Sequence, residues 1–217
     1  MRTVQEIYEK YRLMSGLQEH QLRVGAVGKL LADSIPNVNG KDVVLTCLFH
    51  DMGNIIKSHL DVFPEFLQPQ GLEYWKSVKE DFVRTYGSDE HEATKIIATE
   101  LSLSQDVIHM IDTIAFSNIP RILEKEPIEM HICEYADMRV GPHGIISLKD
   151  RLEDLKKRYS PRWREGAHKD MEKSFNASAV LLEQLEQQLF EQSSLHLEDI
   201  NDATAAPVIE ELRRLEI

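Results

Sequence analysis

Val43-Val44-Leu45-Thr46-Cys47-Leu48-Phe49-His50-Asp51-Met52-Gly53 is the stretch on which the reading of this chain turns. Asp42 stands where a helix N-cap would, and the residues from Val43 to Phe49 form a run that is apolar on almost every side. A helix apolar all round belongs in an interior. His50 and Asp51 therefore close a buried element with two polar groups. A carboxylate in that place is costly unless it is paired with a cation or bound to a metal.

Two further helices repeat the anomaly. Leu17, His20, Val24, Val27 and Leu31 recur at helical spacing, so His20 lies on a core-facing stripe. Met130, Cys133, Asp137 and Val140 form a second apolar line carrying one acid. Each residue alone has an ordinary explanation: a hydrogen-bonded core histidine, a cap, or an ion-paired aspartate. The joint placement argues for convergence of His20, His50, Asp51 and Asp137 on one divalent ion. Two imidazoles and two carboxylates suit Mn, Fe, Zn, Co or Ni better than Ca.

Around these lines the chain reads as helical throughout. Val4 to Asp33 reads as one or two helices, followed by a loop over Pro36 to Gly40. Ser58 to Gly71, with Pro64, Pro69 and Gly71, reads as an ordered excursion of the lid type. Its Phe63 and Phe66, with Trp75 after it, are candidates to cover an apolar group or to form a local core. Helices are expected over Leu72 to Tyr86, from Ser88 or Asp89 to Leu101, from Ser104 to about Phe116, and over Glu126 to Met138. Others follow over Leu148 to Tyr159, after Pro161 over Lys169 to Phe190 with Val180, Leu181, Leu185 and Leu189 inward, and near Pro207 to Leu215. No segment alternates with period two, so an all-α fold without sheet is expected.

Composition narrows the class. A chain of 217 residues with 42% apolar residues can build a globular core, and its net charge of -12 disfavours nonspecific nucleic acid binding. No run approaches the roughly 18 apolar residues of a membrane span, and no signal-peptide pattern opens the chain. Cys47 and Cys133 lie in apolar helical patterns and read as buried free thiols of a cytoplasmic protein.

His20, His50-Asp51-Met52-Gly53 and Tyr135-Ala136-Asp137 together resemble the H…HD…D signature of the HD superfamily of metal-dependent phosphohydrolases. The resemblance runs from about Leu13 to Val140. It implies a compact HD-domain helical bundle with additional C-terminal helices, divided as residues 1–160 and a C-terminal extension, 161–217, packed on the same core. It implies one divalent metal per chain and hydrolysis of a small phosphorylated metabolite, nucleotides among them. Homo-oligomerisation is compatible with it.

Asp51 and His91 are then the catalytic candidates, since a histidine often stands in the region of His91 in similar proteins. Arg23, Lys57 and Arg139, each near a ligand in sequence, are the substrate-binding candidates. The plain alternatives are solvated cations for these three and a surface histidine in an acidic context for His91. His59, His131 and His143 look less central. Similar nucleotidases carry an acid three residues after the Asp of the motif, and this chain has Asn54 there. An amide orients water but cannot take its proton. That departure keeps a non-catalytic metal- or ligand-binding protein in view. An HD-type di-iron oxygenase would need a complete second metal site, and the segment Ile114 to Asn118 lacks its histidine.

Overall fold

The computed structural model describes residues 1–159 and 168–217. Pro161 and the expected boundary between 160 and 161 lie outside the described residues. Among these, eleven α-helices follow one another and no strand is present, only the isolated bridges Thr3–Glu216 and Val140–Ile145. The helices are α1 (Val4–Lys10), α2 (Ser15–Ser34), α3 (Gly40–Phe49), α4 (Leu72–Tyr86), α5 (Glu90–Glu100) and α6 (Gln105–Thr113). They continue with α7 (Ile119–Lys125), α8 (Ile128–Asp137), α9 (Leu148–Tyr159), α10 (His168–Gln192) and α11 (Asp202–Arg213). None is long and apolar enough to cross a membrane among the described residues.

Helix α3 sits at the centre, as its composition demands. Every residue from Val43 to Phe49 is buried, and α2, α6 and α8 pack around it. Gly28 lets α2 approach closely, since a Cβ there would meet Cys47 Sγ at 2.8 Å. Tyr8 of α1 donates its hydroxyl to the carbonyl of Leu48 at 2.7 Å, tying the first helix to the last turn of α3. Helix α11 lies along α2, and α10 packs on α7 and α8.

Several elements differ from the sequence expectation for local reasons. Of the one or two helices expected over the first stretch there are two, α1 and α2, parted at Arg12, whose φ of 50° no helix can contain; the departures lie further on. Asn39, not Asp42, caps α3: its side chain accepts the N–H of Asp42, which lies in the first turn. Helix α6 stops at Thr113, and Pro120 opens the unexpected α7 from its first turn. On α10 the buried line is Phe175, Ser178, Leu182, Leu185 and Leu189, while Val180 is 51% exposed. Helix α11 begins at Asp202, because Asn201 caps it by accepting from Ala203 and Thr204. On α4, just past the excursion, Trp75 is buried and donates Nε1–H to the Leu67 carbonyl at 3.1 Å, which makes it local core and not a lid.

One buried cation joins the later helices. Arg139, 5% exposed, donates from Nε to the Ile146 carbonyl at 2.7 Å and from Nη1 to Tyr135 Oη at 2.7 Å. Its Nη2 donates to the Ile200 carbonyl at 3.0 Å, just before α11, and the Tyr135 hydroxyl donates to Glu186 Oε2 of α10 at 2.6 Å. All three guanidinium nitrogens are thus spent on the fold. The expectation that Arg139 binds substrate is corrected accordingly. Arg139→Met should lower the unfolding free energy by about 3 kcal/mol or more, because buried acceptors lose their donors. Urea unfolding measures this. Ligand affinity of the folded variant should be unchanged.

Candidate metal centre

Three helices deliver the predicted polar residues to one point. His20 comes from the middle of α2, His50 from the C-cap of α3, and Asp137 from the last residue of α8. His20 Nε2 lies 3.1 Å from Asp137 Oδ1, and His50 Nε2 lies 3.6 Å from the same oxygen. One donor atom from each of the three falls within 4.8 Å of the others. Asp51 stands beside this group, its Oδ2 4.0 Å from His20 Nε2 and 3.8 Å from His50 Nε2.

The surroundings fix the donors. His50 Nδ1 is 2.9 Å from the carbonyl of Cys47, one turn back on α3, so Nδ1 carries a proton and Nε2 faces the cluster. That Nε2 is buried and has no hydrogen-bond partner. Asp51 is oriented from two sides. Its backbone N–H donates to Oε1 of the fully buried Gln21 at 3.1 Å, and Asn54 Nδ2 donates to its Oδ2 at 2.7 Å.

The donor set fits a divalent ion. Nitrogen and oxygen donors bound about 2.1 Å from one ion stand about 3.0–3.4 Å apart for octahedral to tetrahedral angles; the 3.1 and 3.6 Å contacts of Asp137 lie near that range, and the 3.8 and 4.0 Å contacts of Asp51 are longer. The orphaned Nε2 of His50 supplies the independent sign, since a buried polar nitrogen without a partner is rare.

Protonation tells the same story. Burial opposes charge on His50, but Asp51 and Asp137 together overcome it and push the imidazole up to about 10. Burial likewise works against the Asp137 carboxylate, yet His20 and His50 hold it well below the usual range. Asp137 is therefore an anion that requires cationic or donor partners around it. Glu134, one turn earlier on α8, is pushed the other way, up to about 8, by burial first and by Asp137 second. Its Oε2 accepts the N–H of Ala115 at 3.0 Å and so holds the connection between α6 and α7.

The other candidates distribute around this centre. Lys57 Nζ and His91 Nε2 both approach Glu90 Oε1, at 3.4 and 3.5 Å. Arg23, one turn after His20, pairs with Asp202 at the start of α11 (Nε to Oδ1, 3.7 Å). Asp202 Oδ1 also accepts the N–H of Ile145 at 3.1 Å, so the C-terminal helices hold a cation beside the centre. Arg139 lies apart, engaged as described above. His59 is exposed, and His131 Nε2 is 3.1 Å from the Ile122 carbonyl. His143 packs against Phe63 and Phe66, with ring centroids 6.0 and 5.7 Å away. Gln21, Glu90, Glu134 and Asp202 were not singled out by the sequence. Gln21 and Glu134 carried a usable signal, as polar residues on helices otherwise buried.

The HD domain family model matches residues 17–131, more than half of the chain, a span that includes His20, His50 and Asp51 and ends before Asp137. Neither curated proteins nor solved structures give a match.

Ion uptake must displace the proton from His50, so apparent affinity for Mn or Co should rise with pH, by about tenfold per unit while one proton is released. A competition titration at several pH values checks this. Asp51→Ala and Asp137→Asn should both lose occupancy, and full occupancy in the Asp51 variant would remove it from the ligand set. Glu134 has a folded pKa of about 8 against an ordinary 4.5, so its contribution is fully present below 4.5 and lost as pH rises toward 8. Glu134→Gln keeps an acceptor for Ala115. In the ion-free protein its stability difference from the wild type should shift in its favour between pH 5 and 8, as read by urea unfolding.

Proposed function

Because this chain belongs to the HD domain family, we propose that it is a metal-dependent phosphohydrolase acting on a small phosphorylated metabolite, nucleotides being one class. The observation that carries the reading is the buried, unpartnered Nε2 of His50 facing Asp137 and His20. His20, His50 and Asp137 would hold the ion, with Asp51 beside them as the fourth donor. A divalent ion there supplies Lewis acidity toward a phosphoryl oxygen and acidifies water.

The chain's own side chains then have separable tasks. Asp137, kept ionised by its neighbours, and Asp51, oriented by Gln21 and Asn54, carry the negative charge that favours a cation. Arg23 and Lys57 offer cations to the phosphate oxygens. His91, 54% exposed, would give a proton to the departing oxygen.

A second reading, a non-catalytic protein that binds metal and a phosphorylated ligand, is favoured by Asn54. Its amide donates to Asp51, and no acid occupies that position to take a proton from water. One experiment separates the two. In a screen of phosphorylated metabolites with added Mn or Co, the first reading expects metal-dependent release of phosphate. Asp137→Asn should reduce that release by at least about 100-fold, since even outer partners of metal ligands are worth 10–100-fold. Tight ligand binding without turnover would establish the second.

A further inference from the structure

We infer that Glu90 is a positioning residue that holds Lys57 and His91 together as a two-donor seat for a phosphate oxyanion beside the His20–His50–Asp137 cluster. The inference rests on the phosphate-ester reading above and deepens it by assigning the seat. Three observations lead to it.

The first is a backbone junction. Gly53 ends the His50-Asp51-Met52-Gly53 segment, and a Cβ on it would lie 2.4 Å from the carbonyl oxygen of Glu90. Only a residue without a side chain lets the first turn of α5 come that close. The Thr94 hydroxyl closes the junction from above, accepting the N–H of Gly53 at 2.9 Å and donating to the Glu90 carbonyl at 2.7 Å. Glu90 is therefore fastened to the chain two residues past Asp51.

The second is the arrangement of charge. Lys57 caps the short 3-10 turn Asn54–Ile56 that directly follows Gly53. Its ammonium and the imidazole of His91, from α5, meet the same oxygen of Glu90. Glu90 is largely covered, with 24% of its side chain exposed, whereas Lys57 and His91 are about half exposed, at 48% and 54%. The carboxylate draws the two side chains together; the ammonium keeps N–H groups for an anion in solvent, and the imidazole offers one only as the imidazolium, with Nε2–H toward Glu90 and Nδ1–H outward.

The third concerns the helix end itself. The N–H groups of His91 and Glu92 both donate to Asp89 Oδ1, so α5 offers side chains, not its free amides, to a ligand.

The test uses inorganic phosphate and the Mn-loaded protein, with binding followed by calorimetry. Glu90→Gln keeps the size and removes the charge. If Glu90 were only a nearby anion, its removal would strengthen phosphate binding by relieving repulsion. A positioning role gives the opposite sign: phosphate affinity about tenfold weaker at unchanged Mn stoichiometry, about the worth of one charge-assisted hydrogen bond. Lys57→Met, at an exposed position, should weaken phosphate similarly, and adding Glu90→Gln to it should cost less than in the wild type. Glu90→Asp should recover part of the affinity.

Affinity in Glu90→Gln equal to or above wild type would overturn the inference and leave the phosphohydrolase reading standing. Should that variant misfold, an unchanged phosphate affinity in Lys57→Met would overturn it instead. A wild type that binds Mn but no phosphate would overturn both.

Discussion

An ionised carboxylate among packed helices has to be answered by cations or donors at close range. Asp137 sits at that point, where the end of α8 meets α2 and α3, with His20 and His50 on the same oxygen. The helices can pack only in a register that keeps those two imidazoles beside the acid. The central placement of α3 follows from its composition, but its rotation is constrained by this contact and by the Cys47 carbonyl that orients His50. Without a metal, protons on His50 answer the charge. With a metal the ion would take their place, so ion binding and protonation compete for the same buried space.

The sequence made the centre legible because polar residues on apolar stripes are conspicuous. Helical period put His20 and Asp137 on apolar stripes, the end of an apolar run marked His50 and Asp51, and only their joint placement pointed to one centre. The same logic was weaker at the periphery. Arg139 looked like a phosphate ligand because it stands two residues after Asp137, yet two helical steps turn a side chain by about 200°, and here it turns into the interior. Proximity in sequence to a ligand is therefore a poor guide unless the helical phase agrees. On α10 the phase itself was misjudged: Leu181 and Val180 border the buried line through Leu182, and a run of adjacent apolar residues does not say which of them faces in.

Long-range partners were the least legible. Asp202 reaches both Arg23 and the Ile145 amide from the start of α11, far along the chain. Glu90 meets Lys57 because Gly53 is small enough to admit the first turn of α5. Neither pairing leaves a periodic trace, since each depends on how two helix ends approach. The C-terminal helices illustrate the consequence. Their composition reads as ordinary amphipathic helix, yet through Asp202 and Arg139 they set the geometry of the segments that border the centre.

Asn54 is best understood from the same charge balance. The amide donates to Asp51 at 2.7 Å, while its own Oδ1 is buried and unpartnered. A carboxylate at that position would face Asp51 with like charge at hydrogen-bonding distance, a repulsion that only a cation nearby could offset. The amide removes the repulsion and holds Asp51 toward the histidines whether or not an ion is present. It gives up a base for water in return. The chain thus places orientation of a ligand carboxylate ahead of proton abstraction next to it. In the proposed phosphohydrolase, the remaining proton chemistry would fall to groups on the other side of Gly53, where α5 brings Glu90 and His91 up to Lys57.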